Sequence, residues 1–282
     1  GDSYGGAIFT YVIARYSNIS LTIGDNAQFV SNRAAVSGMG HGGAISAEVS
    51  ASSAAIFLMI GDNAQFTNNT AIAARNQAGQ GGAIYAISEV GTSLHLSIGA
   101  NASFLHNYAD EGGIGFLSAS SSNNFAISFG GNTTYSHGET GFRIAVTKSQ
   151  GSFCIGSNSL IGNFKSFLFA SLFQQSTFLM SISETTYVNC ENCITTESFD
   201  SSAMQLTVVN STFTGIVHYA ISVLGVSAGK QQDNGYFNII NSSFVGTSGA
   251  SAILGTTSNA GNISIAAVDS NFTSFSSPSD GG

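Results

Sequence analysis

The residues best suited to chemistry are few and scattered. Cys190-Glu191-Asn192-Cys193 is a CxxC pair with Cys154 as a third thiol; a zinc site would need a second pair or a histidine at ligand spacing, and neither is present. A disulfide in an oxidising compartment is the expectation instead, with the pairing among Cys154, Cys190 and Cys193 left open. The acids are spread thinly, and Asp110-Glu111 is the only adjacent pair. Cleavage of an acidic polysaccharide needs carboxylates clustered on one face, often with calcium and a basic residue, and a glycosidase needs two of them ~5 to 10 Å apart. Asp25 and Asp62 do stand at equivalent positions, but equivalence within a repeat favours a structural duty over a unique active site. His41, His95, His106, His137 and His218 share no register with a serine or acid partner. No catalytic set, metal or cofactor is expected.

Asparagine offers a second chemistry. Asn18, Asn68, Asn101, Asn132, Asn210, Asn241, Asn262 and Asn271 all begin N-x-S/T sequons, the acceptors of N-linked glycans. Four of them, Asn101, Asn132, Asn210 and Asn241, belong to a column that runs three residues before a repeated aromatic: Asn26, Asn63, Asn101, Asn132, Glu184, Asn210, Asn241 and Asp269, with Asn158 one place out. Such a column predicts an asparagine ladder, with amides bonding coil to coil and satisfying a tight turn. A buried ladder amide cannot carry a sugar, so Asn18, Asn68, Asn262 and Asn271 are the better glycan candidates.

The elements that must position these residues follow from the repeat itself, which governs the architecture. Ile23-Gly-Asp-Asn-Ala-Gln-Phe29 with Asn32 returns as Ile60-Gly-Asp-Asn-Ala-Gln-Phe66 with Asn69, and as Ile98-Gly-Ala-Asn-Ala-Ser-Phe104 with Asn107. Gly5-Gly6-Ala7-Ile8, Gly42-Gly43-Ala44-Ile45, Gly81-Gly82-Ala83-Ile84 and the looser Gly112-Gly113-Ile114 alternate with it. Taken as a register mark, the aromatic column Phe29, Phe66, Phe104 continues through Tyr135, Leu160, Tyr187, Phe213, Phe244 and Phe272, which predicts nine coils. Strand openers precede it by seven or eight residues: Leu21, Leu58, Leu96, Ile127, Phe153, Met180, Leu206, Phe237 and Ile265.

Apolar residues alternate with a period of two, as in Leu94-His-Leu96-Ser-Ile98, and no long window carries the helical period. Stacking like on like at about 4.8 Å requires the same residue at the same place in every coil. The expectation is all-β: a right-handed single-stranded parallel β-helix, a single β-solenoid over 1–282, with longer coils over 1–116 and shorter, divergent ones over 117–282. The aromatic column is expected inside as packing, and the paired glycines at corners that need positive φ. Ser46–Ser53 and Ala71–Gln80 are expected as loops, and as the first place to look for lateral binding.

Composition removes whole classes of function. Only 8% of residues are charged and the formal net charge is −8, so there is no basic stripe for nucleic acid. No apolar run approaches the ~20 residues of a membrane span. With 43% hydrophobic residues and 21 Phe the chain can bury a core.

The alternation of GGA-Ile with Phe-x-x-Asn resembles the repeat of chlamydial polymorphic outer-membrane proteins and, more broadly, of autotransporter passenger-type parallel β-helices. The resemblance is close over 1–116 and architectural beyond. It implies a cell-surface, adhesive, non-catalytic rod, although this chain has no C-terminal membrane barrel, no Trp and little charge. The chain opens almost at once on Gly5-Gly6-Ala7-Ile8 and stops at Asp280-Gly281-Gly282 without a polar cap. Its expected partners are therefore copies of itself stacked end to end or further repeats of a longer chain, with glycans attached. The leading expectation is a non-enzymatic extracellular structural protein, a subunit or segment of a surface fibre. An adhesin that binds a host or surface ligand, and a β-helix polysaccharide lyase or hydrolase, are the alternatives.

Overall fold

The computed structural model describes residues 3–34, 38–73, 78–121, 124–199, 202–226, 234–258 and 262–275. Among them there is no helix, and every strand pairing is parallel, so the chain is a β-solenoid. Each coil passes three walls. The first wall stacks nine strands in chain order: Asn18–Ile23, Ala55–Ile60, Ser93–Ile98, Asn124–Phe129, Gln150–Ile155, Thr177–Ser183, Ala203–Val209, Asn234–Ile240 and Asn262–Val268. The second carries the aromatic mark in strands such as Gln65–Thr67 and Thr212–Ile216, and the third follows the glycine pairs in strands such as Ile45–Val49 and Ile84–Ser88. Second and third walls belong to one fifteen-stranded sheet. They fuse outright where Thr134–Thr147, Leu160–Phe173 and Thr186–Phe199 run around the corner as continuous strands.

The register on the first wall is the one read from the openers: Leu21, Leu58, Leu96, Ile127, Phe153, Met180, Leu206, Phe237 and Ile265 pair in sequence. Alternation then puts one side chain in and the next out, as the burial of Ala55–Ile60 shows. On the second wall the aromatic column is interior, and one member needs correction. Tyr135 and Tyr187 both pair with Ile161, not Leu160, and Leu160 is 45% exposed. With Ile161 as the mark, Asn158 falls three residues before it like its counterparts, so the apparent slip of Asn158 was a slip of the mark.

Rings stack face to face along this column, Phe29 to Phe66 and Phe66 to Phe104 at 4.7 Å, and Tyr187 to Phe213 at 4.3 Å. Ile161 interrupts the stack. Phe167 of the same coil fills the gap edge-on, 5.4 Å from Tyr135 and 5.8 Å from Tyr187. Each fully buried ring removes enough apolar surface from water to contribute about 2 kcal/mol.

Corners are made by left-handed residues in columns. Asn26, Asn63, Asn101, Asn132, Asn158, Glu184, Asn210, Asn241 and Asp269 all have φ between 47° and 62°; Asn and Asp tolerate that region better than other side chains. At the glycine corner Gly42 has φ 62°, and a Cβ on Gly43 would collide with the Gly82 carbonyl of the next coil. The first glycine is thus demanded by conformation and the second by coil-to-coil approach.

The asparagine ladder exists, but in a different column from the one expected. The corner asparagines point outward, and among the described residues Asn241 Nδ2 donates to Asn210 Oδ1 there (2.8 Å). The buried ladder is the last residue of Phe-x-x-Asn. Asn69 donates from N and Nδ2 to Asn107 Oδ1 (3.0 and 2.9 Å) and from Nδ2 to the Phe29 carbonyl (2.8 Å), while its own Oδ1 accepts from Asn32 N (3.1 Å) and Nδ2 (2.9 Å). The physical reason is direction. A left-handed corner residue projects its side chain to solvent, whereas three residues past the inward ring the chain has turned and the amide faces in.

Candidate functional site

The structure disperses most of the expected site residues. Asp25 Oδ1 accepts from Asp62 N (2.9 Å) and Asp62 Oδ1 from Ala100 N (2.7 Å), so each acid caps the next coil's turn. All eight sequon asparagines are exposed, Asn101, Asn132, Asn210 and Asn241 included. The expected split between ladder amides and glycan sites therefore does not hold: the ladder is elsewhere, and burial excludes none of the eight.

The three cysteines are free thiols. Cys154 projects from the first wall, while Cys190 and Cys193 are buried in the core. Both thiols follow the left-handed corner at Asn189 (φ 54°) and face inward. Burial, and then the neighbouring Cys190, push the Cys193 thiol well above its ordinary range. Such thiols act as small apolar groups rather than as nucleophiles.

The loops fare differently. Ser46 to Val49 lie in the strand Ile45–Val49, so only the end of the Ser46–Ser53 stretch is a connection. Of Ala71–Gln80, Ala71 ends a short strand and Gln80 bridges between His41 and Glu111; residues 74–77 lie outside the described set.

One concave place does gather chemistry. A cavity of about 250 Å³ on the third wall is lined by Asp110, Glu111, Gly112, Thr140, Phe142, Arg143, Ser166 and Phe169. Strand register sets it up: Arg143 lies between Phe116 and Phe169 on neighbouring strands, and its guanidinium sits 4.0 Å over the Phe169 ring. Further down the axis a row of rings continues, Phe116 stacked on Tyr85 at 5.7 Å and His41 on Tyr4 at 4.8 Å, with Tyr85 tilted against His41 at 4.4 Å and both of these buried. The carboxylates beside the cavity are already engaged. Asp110 Oδ2 accepts from Gly79 N (2.7 Å) and Glu111 Oε2 from Gln80 Nε2 (2.9 Å). Burial, with Asp110 and Glu139 behind it, raises the Tyr108 phenol. Among the described residues no group of three or more His, Cys, Asp or Glu is placed to hold a metal ion. The arrangement suits hydrogen bonding to a small polar ring against a flat cation and aromatic surface.

No protein-family model, curated protein or solved structure matches this chain. Function must be argued from the geometry.

A displaced carboxyl lies on the third wall. Burial, and then the charge of Glu89, raise Glu48 to about 7, and its Oε1 meets no hydrogen-bond partner. Glu48 sits between Tyr11 and Ile87 on adjacent strands. Neither Glu48 nor the Arg143 cavity was legible in the sequence, because both need the third-wall register. That register disappears from the sequence after Gly112-Gly113, where the glycine pairs stop. No helix among the described residues is long and apolar enough to cross a membrane.

Proposed function

We propose that this protein is a non-enzymatic, extracellular structural rod, a segment of a surface fibre decorated with N-linked glycans. One observation carries the reading: the most repeated residues are spent on holding coil to coil. Asp25 and Asp62 cap the next turn, Asn26 and Asn63 make corners, Phe29, Phe66 and Phe104 stack, and Asn32, Asn69 and Asn107 form a ladder. A sequence that keeps stacking residues and varies the rest is selected for a stiff scaffold. Exposure of all eight sequons supports display in a secretory setting. Surface labelling of intact source cells, with mass analysis of Asn18, Asn68, Asn101, Asn132, Asn210, Asn241, Asn262 and Asn271, tests it. Label confined to the outside and glycan mass at several of these sites is the expected result; an intracellular pool bearing bare asparagines would overturn it.

A second reading, adhesion, is favoured by the Arg143 cavity, where the guanidinium lies over the Phe169 ring. It predicts saturable binding to a glycan array that falls at least about tenfold in Arg143→Ala. Retention of full binding in that variant would return the cavity to a packing role.

A further inference from the structure

The nine strands of the first wall contain no Asp, Glu, Lys or Arg, although charged residues occur on the other walls and at corners. Its outer face presents mainly Ser, Thr, Ala, Asn and Gln, with large apolar groups standing out: Phe57 is 37% exposed, Leu179 49% and Tyr236 54%. A face without charge and with protruding apolar groups has the composition of an interface centre. Its size also fits. Six-residue strands stacked nine deep cover roughly 20 by 40 Å, about 800 Å², which is what a standard interface occupies on each partner.

We propose that this wall is the contact face of a two-fold homodimer, a second copy of this chain lying antiparallel across it. The strand positions fix the arrangement. Gln150–Ile155 is the fifth of nine strands, so a two-fold axis along it lays the wall on its copy with strand order reversed. Positions along each strand are kept, and Cys154 faces Cys154. Leu179, one strand above, faces Ala126, one strand below in the same outward column. Ala126 lines an open depression of about 280 Å³, into which the leucine projects. Phe57 and Tyr236, in the same column on the second and eighth strands, face each other as an aromatic pair. A self-complementary surface is what an isologous contact requires: Leu179 meets a hollow and Phe57 a ring, while Met59, 46% exposed in the next outward column, lies over Asn238. This lateral contact is independent of the fibre reading and of any end-to-end stacking.

Sedimentation of the full chain over a concentration series, with a short bis-maleimide as cross-linker, tests the proposal. A reversible dimer is expected, with one covalent dimer band joined through Cys154, since the other two thiols are buried. Cys154→Ser should lose the band and keep the dimer. Leu179→Lys, at an exposed position that the fold tolerates, should weaken association by about tenfold or more, while Thr195→Lys on the third wall leaves it unchanged. A monomer at every concentration overturns the proposal. So does association that survives Leu179→Lys, or that Thr195→Lys abolishes, because either assigns the contact to another surface or to a polysaccharide-binding or fibre-forming face.

Discussion

The early and late coils meet the same demand by different means. Every corner of a parallel solenoid buries backbone N–H groups that no strand ladder reaches. Among the early coils, side-chain amides reach them: Asn32, Asn69 and Asn107 link three coils, and each inner amide also binds a carbonyl of the coil below, as Asn107 Nδ2 does to Phe66 O (2.8 Å). In the later coils the amide positions are taken by Phe164, Cys190 and Ile216, and hydroxyls form a ladder at the other corner, two residues before the ring. Thr185 N donates to Ser211 Oγ (3.2 Å), Ser211 N to Ser242 Oγ (3.1 Å) and Ser242 N to Ser270 Oγ (3.2 Å). An amide both accepts from its neighbour and donates onward, so one residue closes several bonds. A hydroxyl accepts from the next coil and donates within its own turn, as Ser211 Oγ does to the Val209 carbonyl (2.9 Å). The change of residue type is therefore a change of corner, not a decay of the repeat.

Removing one rung from each ladder is the sharpest way to break this comparison. Asn69→Ala leaves Asn32 N and Nδ2 and the Phe29 carbonyl without the side-chain partner, although Asn69 N still donates to Asn107 Oδ1, and should cost about 3 kcal/mol in a denaturant melt. Because coils couple mainly to their neighbours, hydrogen exchange should accelerate first in the adjacent coils and not at Ser242. Equal loss of protection along the whole rod would show that the ladders act as one cooperative unit.

The break in the ring stack lies between the two regimes. Ile161→Phe restores the sequence logic of the column, yet Phe167 already occupies the space between Tyr135 and Tyr187. Overpacking should cost about 2 kcal/mol; a gain in melting temperature would mean that Phe167 can leave. Ser211→Ala comes next, at about 1 kcal/mol, since it strands the Thr185 N–H alone. Tyr187→Phe should run the other way. Its hydroxyl is buried with no hydrogen-bond partner, so deleting that oxygen should raise stability by up to about 1 kcal/mol.

Much of this was legible because stacking imposes identity. The nine strand openers fell in register because each must point inward beneath its predecessor, and alternation makes a slip of one residue costly. Leu160 was mistaken for its neighbour Ile161 because two adjacent aliphatics satisfy hydrophobicity equally, and only the corner residue Asn158 decides between them. The ladder was assigned to Asn26 and Asn63 because spacing reveals a column but not the direction of its side chains. Ser46 to Val49 read as a loop because the small polar residues there are outward or tightly packed strand positions. The Arg143 cavity was illegible, since it depends on residues from three separate coil segments and repeats nowhere.

Acidity offers the gentlest separation of the two regions. Glu48, in the second coil, has its carboxyl raised from 4.5 to about 7 by burial and by Glu89. A native pKa above the unfolded one means that the folded protein holds its proton longer, so this group's stabilising contribution is complete below about 4.5. It is lost as pH rises from there through about 7. Glu48 is only partly buried, and solvent screening makes the loss small. Hydrogen exchange measured at pH 5 and pH 8 should therefore quicken at the higher pH around Glu48 and its strand neighbours Tyr11 and Ile87, beyond the intrinsic pH dependence. The coils of the hydroxyl ladder should show no such excess, and Glu48→Gln should flatten the early coils to match. An equal excess in both regions would mean that the titrating group is elsewhere.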